Sequence, residues 1–177
     1  MKKTGYVAFG AIIAALCCVT MLVSYFPYLT YSVPALAGLF IMVAVVEIGV
    51  KWALFSFLAS SFIVLLTAEP EAALLYVCLF GCYPIIKALI EKISLAALRY
   101  AVKLLVFNAS VVLVYVVFMK LFGISTGLEG VAAYGVYALW AFANFVFLIY
   151  DLAILRVSQW YIFRLHSRVS SLIKNKR

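Results

Sequence analysis

Residues 4–46 run 43 positions without a charged side chain. An apolar helix needs only about 20 residues to cross a bilayer, so this stretch is roughly twice one crossing and has to turn within itself. The place to turn is FPYLTYSVP, residues 26–34. Pro27 and Pro34 each lack an amide proton and disfavour helix for the residue before them. Tyr25, Tyr28 and Tyr31 suit the boundary between lipid and water, with ring in one and hydroxyl in the other. An interfacial loop is therefore expected between a first span (about 6–25) and a short second one (about 34–47).

The rest of the chain keeps to the same solvent. Of its 177 residues 69% are hydrophobic and 11% charged, against roughly 25% charged in a soluble domain. Such a chain cannot cover a water-facing surface, and an all-α polytopic membrane protein is expected, one transmembrane domain over residues 1–177. Further uncharged stretches at 52–68, 72–86, 104–119 and 130–150 bring the expected count to six spans. The opening MKKTGYVAFGAIIAALCCV imitates a signal peptide, but no small-x-small cleavage site comes after it, so it is expected to stay as the first span.

Basic residues orient the spans, because cytoplasmic segments carry the excess of lysine and arginine. With both termini inside, thirteen of the fourteen basic residues fall on inner segments and only Lys120 falls outside. Five or seven spans would put one basic terminus outside. The expected topology is N-in and C-in, with FPYLTYSVP, AEPEA and GISTGLEG outside. Residues 157–177 alternate bulky apolar and basic side chains. They read either as an extension of the last helix along the inner leaflet or as a solubilising tail.

Several function classes are disfavoured. No phosphate-binding G-x-x-x-x-G-K-[ST] loop is present, and His166 is the only histidine, which leaves neither H-E-x-x-H nor a serine–histidine arrangement. No catalytic residue, cofactor or metal site is expected. Cys17, Cys18, Cys78 and Cys82 read as small buried hydrophobes. The net charge of +8 is not interleaved with aromatics along a groove, so nucleic acid is not an expected partner.

Polar residues within spans are the functional candidates. At helical spacing Tyr76, Phe80, Tyr83 and Lys87 share one face, as do Asn108 and Tyr115, and Tyr137, Trp140, Asn144 and Asp151. Asn108 and Asn144 have two open readings, hydrogen-bonded glue between helices or contact with a substrate. Asp151 is expected to pair with Lys103 or Lys87 at similar depth, since an unpaired carboxylate there is costly. Near the outer boundary Tyr25, Tyr28, Tyr31, Tyr76, Tyr134 and Tyr137 form either an aromatic belt or the wall of a cup. In the second case Tyr28 and Tyr31 act as a lid over a small-molecule site also lined by Tyr76, Asn108, Tyr137 and Asn144.

The size, the six spans with both termini inside, and an outer first loop leading through VPALAG into a short second helix resemble the substrate-binding S components of energy-coupling factor transporters. Riboflavin-type members carry a similar Pro-Ala-Leu segment after the first loop. Ala11 and Ala15 match the family's Ala-x-x-x-Ala surface, which docks the coupling subunit. The resemblance implies uptake of a vitamin-like micronutrient across a prokaryotic plasma membrane, with a separate coupling subunit and two ATPases supplying the energy. A non-transporting scaffold of cell-envelope assembly, MreD-like in length and multi-span plan, is the alternative.

Overall fold

The computed structural model describes residues 3–26, 28–122 and 133–164, and every regular element in them is helical. Helix α1 is Lys3–Leu22, and a short 3-10 turn at Val23–Tyr25 comes next. Helix α2 is Ser32–Thr67, α3 is Pro70–Leu75, and a π-helical turn at Tyr76–Phe80 leads into α4, Tyr83–Ile90. Helices α5 and α6 are Ala96–Phe122 and Ala133–Arg164. Five helical segments are long and apolar enough to cross a membrane, with α3, the π turn and α4 counting as one segment over Pro70–Ile90. These features fit a membrane-embedded protein. Residues 123–132, the side chains of Lys120 and Tyr134, Pro27, and residues 165–177 with His166 lie outside the described part.

Helix α2 covers both the second and the third expected spans. It is broken only at Gly49, where φ is 82° and ψ is 166°. Contacts with α1 show what the break does. Cys17 Sγ lies 3.5 Å from Ala37 O, and a Cβ on Gly10 would sit 3.6 Å from Ile48 Cδ1, so the first arm (32–48) descends as α1 ascends. Along the second arm the order is reversed. Tyr6 stacks on Trp52, Gly10 abuts Ser56, Cys18 Sγ reaches Ser60 O at 3.9 Å, and Tyr25 donates to Thr67 O at 3.1 Å. The two arms therefore run in opposite directions, and Gly49 alone replaces the expected EIGVK loop. That backbone geometry is open essentially only to glycine. Pro34 lies in the first turn of α2, where a missing N–H costs no helical bond.

The α1–α2 hairpin packs a core of small and branched side chains, including Cys17, Ala37, Ile41, Ala44, Ala53 and Val64. Gly10 faces into it. A methyl group there would meet Ser56 Oγ at 2.6 Å, so α1 and the second arm approach at backbone distance. A second core lies where the first arm of α2 meets α4, α5 and α6, around Met42, Tyr83, Phe107, Phe147 and Ile154, with Phe107 and Phe147 stacked at 4.3 Å between ring centres. Gly38 joins the two cores. Its absent side chain makes room for the carbonyl oxygen of Phe80 and the hydroxyl of Tyr150. Helix α6 runs on past the expected span end at 150 to Arg164, and Tyr161 is buried with its hydroxyl donating to Glu47 (2.8 Å).

Candidate functional site

The π turn at Tyr76–Phe80 decides where the residues of the fourth span point. Gly81 N–H returns to Tyr76 O at 2.7 Å, closing a wide five-residue turn. Pro84 has no N–H to offer Phe80 O, which weakens ordinary helix at that place. One extra residue in a turn rotates the helix before it by about 100° relative to the helix after it. The expected stripe of Tyr76, Phe80, Tyr83 and Lys87 is therefore split. Tyr76 is fully buried against α2, donating to Ser60 Oγ (2.7 Å) while Ser60 donates on to Phe57 O (3.0 Å). It does not line an outer cup. Tyr83 and Lys87 face α6 instead.

Facing α6, they meet Asp151. The Asp151 carboxylate accepts from the Tyr83 hydroxyl, from Lys87 Nζ and from Lys103 Nζ, the last at 2.9 Å. Lys87 also donates to the backbone oxygen of Asp151 at 2.7 Å. All four groups are buried, with Lys87, Lys103 and Asp151 each at 5% exposure or less. Three helices are thereby tied at one point, and both lysines offered as alternatives by the sequence take part. Glu91, half-exposed at the end of α4, adds a looser contact to each lysine, 3.7 Å to Lys87 and 3.5 Å to Lys103. The Tyr100 ring covers Lys103 Nζ at 5.5 Å. Buried charges persist only when paired and hydrogen-bonded, which this arrangement achieves.

One turn or more away from the cluster along α5 and α6, Asn108 and Asn144 meet. Asn108 Nδ2 donates to Asn144 Oδ1 at 3.0 Å and to Leu104 O at 2.8 Å. Trp140 Nε1 donates to Asn108 Oδ1 at 2.7 Å, and Asn144 Nδ2 donates to Trp140 O at 2.9 Å. The amides satisfy one another, as glue between helices does. Trp140 shares the stripe with Asn144, and its indole N–H is a donor to which the sequence pattern assigns no partner.

The first loop is clasped to the next hairpin. Tyr25 reaches Thr67 O, Thr30 Oγ1 donates to Glu69 (3.0 Å), and Tyr31 donates to Glu71 (2.7 Å). The hydrogen bond to Glu71, with burial second, holds the Tyr31 hydroxyl above the ordinary tyrosine pKa. Tyr28 stands out of this clasp at 96% exposure with φ at 70°, and Tyr137 is 70% exposed. Of the six lid and lining residues, Asn108 and Asn144 are the pair joined by a hydrogen bond. Tyr28, Tyr31 and Tyr137 are on the surface and Tyr76 is in the α1–α2 core.

Helix α1 carries two pairs of small residues. Gly10 and Ala14 are buried against the second arm of α2, whereas Ala11 and Ala15 face outward. Ala11 borders a shallow apolar cleft of about 200 Å³ that Tyr6, Val7, Trp52 and Phe55 also line. The four cysteines are free thiols, and no group of three metal-ligating side chains occurs among the described residues. No protein-family description, curated protein or solved structure matches the chain.

Proposed function

We propose that the protein is a multi-pass membrane subunit that binds a small micronutrient from outside and works with a separate coupling subunit and ATPases, as the S components it resembles do. The reading rests on α1. Of its two pairs of small residues, Gly10 and Ala14 are buried, and Ala11 and Ala15 are exposed, with Ala11 at the edge of an apolar cleft that Gly10 and Ala14 also line. A second helix can approach such a face closely, which is how small residues drive association in lipid. The chain crosses six times, since the arms of α2 run in opposite directions about Gly49, and both termini lie on the cytoplasmic side of a prokaryotic plasma membrane. Reporter fusions at each end test this, and an extracellular C-terminus would overturn it.

The solute would be held on the outward side of the ion cluster, where Asn108, Asn144 and the exposed Trp140 are the polar groups at hand. The clasped loop with Tyr28 and Tyr31 would close over it. A pull-down of the membrane partners of an Ala11→Leu, Ala15→Leu variant is the direct test. Insertion should be unchanged and partner recovery lost. Equal recovery by both forms would refute the docking role.

The scaffold reading is favoured by one observation, the mutual satisfaction of Asn108, Asn144 and Trp140, which leaves little for a solute to bind without opening the pair. What copurifies separates the two. A small molecule released on denaturation supports the transporter subunit, and cell-envelope assembly proteins support the scaffold. In the first case a Tyr28→Ala, Tyr31→Ala variant should bind that molecule about tenfold more weakly than a Phe9→Ala variant, at roughly 1 kcal/mol or slightly less for each lost contact.

A further inference from the structure

We infer that the junction of α4 and α5, at the end where Glu91 meets the two buried lysines, is a binding site for a phosphate oxyanion, and that the phosphate belongs to an anionic phospholipid. The inference starts from an imbalance of charge and distance. Lys87 and Lys103 share Asp151 at close range, so one carboxylate serves two ammonium groups. The second anion is Glu91, which only approaches them at 3.5 and 3.7 Å and keeps 38% of its side chain exposed. Glu91 is thus a loosely held counter-ion at the mouth of a buried cationic pair.

The rim of that mouth is also basic. Lys92 comes directly after Glu91, and Arg99 lies one helical turn before Lys103 on the same face of α5. Four basic side chains against two carboxylates leave an excess of positive charge at the end of two apolar helices. Leu95 and Leu98 stand exposed beside it, at 65% and 51%. A diester phosphate provides oxygens that can take the place of the Glu91 carboxylate on Lys103, with Arg99 and Lys92 reaching its outer face. Its acyl chains would lie along the two leucines. Basic pockets between membrane helices select anionic headgroups on these grounds. The site is independent of whether the protein carries a solute.

The test is retention of lipid by the purified full-length protein, measured by native mass spectrometry after exchange into mixed phosphatidylglycerol and phosphatidylcholine. Phosphatidylglycerol should be retained in preference. A Lys92→Gln, Arg99→Gln variant, altered only at the rim, should lose affinity by about fivefold per residue. Glu91→Gln removes the competing carboxylate and should retain more phosphatidylglycerol than the parent. Phosphatidylcholine retention should be unchanged in all forms. Equal retention of the two lipids by the parent, or a Glu91→Gln variant that binds less phosphatidylglycerol, would overturn the site. Displacement of the lipid by millimolar inorganic phosphate would identify free phosphate as the ligand and overturn the lipid assignment.

Discussion

Replacing Asp151 by asparagine removes one charge and almost no volume, and the structure allows its cost to be worked out. Asp151 is buried and accepts from Tyr83, Lys87 and Lys103. The amide keeps one acceptor oxygen, but two ammonium groups then face only the distant Glu91. Removing one partner from a buried ion pair costs roughly 3–5 kcal/mol. Each hydrogen bond to a charged group is separately worth about 1.5–3 kcal/mol, but these are parts of the same loss in a shared network and do not add. Asp151→Asn should therefore lower the unfolding free energy by about 3–5 kcal/mol, read by steric trapping in bicelles. Lys103→Met should cost less, because Lys87 and Asp151 remain as a neutral pair. The decisive comparison is Asp151→Asn combined with Lys87→Met. It leaves one ammonium with Glu91, restores the balance of charge, and should recover part of the stability lost in Asp151→Asn. Strictly additive losses in the double variant, or a cost below about 1 kcal/mol for Asp151→Asn, would refute a cluster held by charge pairing.

Gly49→Ala meets no steric obstacle, since nothing lies within 4 Å of the added methyl, yet the φ of 82° should make it cost about 1–3 kcal/mol; a neutral effect in the same unfolding assay would mean that the two arms of α2 join some other way. Gly38→Ala is the converse case, with ordinary helical backbone but no room, and the overpacking should cost about 1–3 kcal/mol. Adding Tyr150→Phe should relieve only part of that cost, because the other obstacle, Phe80 O, is backbone; full rescue would place the strain on the tyrosine alone.

Much of this architecture is legible in the residues, and the exceptions have local causes. The uncharged runs mark the helices because only length and apolarity matter for a lipid-facing segment. Depth along the helices brings Asp151 together with Lys87 and Lys103 without knowledge of the packing, whereas that Asn108 and Asn144 bond to each other is seen only in the structure. Periodicity fails at Tyr76 because it assumes one turn size throughout, whereas the π turn adds a residue just ahead of Pro84. A signal for it does exist in Pro84, which leaves Phe80 O without its helical donor, and in Gly81, a weak helix former just ahead of it. Gly49 reads as part of a loop because a reversal of two helices through a single residue needs a backbone angle that no hydropathy pattern encodes. Burial of Tyr161 against Glu47, far apart in sequence, is a tertiary contact and has no local signature.

The distribution of fastenings bears on how such a fold could work. Helix α1 is fastened to the second arm of α2 along its length, from Tyr6 on Trp52 to Tyr25 on Thr67, with the close approach at Gly10 between them. Helices α5 and α6 are held differently. Only 11% and 17% of their apolar windows are buried, against 50% for Pro70–Ile90. Their strongest ties are concentrated at the Lys87–Lys103–Asp151 cluster, with Glu47 and Tyr161 further toward the end of α6. On the side of the asparagine pair away from the ion cluster the described side chains of both helices are mostly exposed, including Val112, Tyr137 and Trp140. A body anchored at one end and lightly packed at the other moves most easily about the anchor, since local opening tracks the density of buried contacts. On that argument the asparagine pair should open before the ion cluster does, which faster amide exchange around Asn108 and Asn144 than around Lys103 and Asp151 would show.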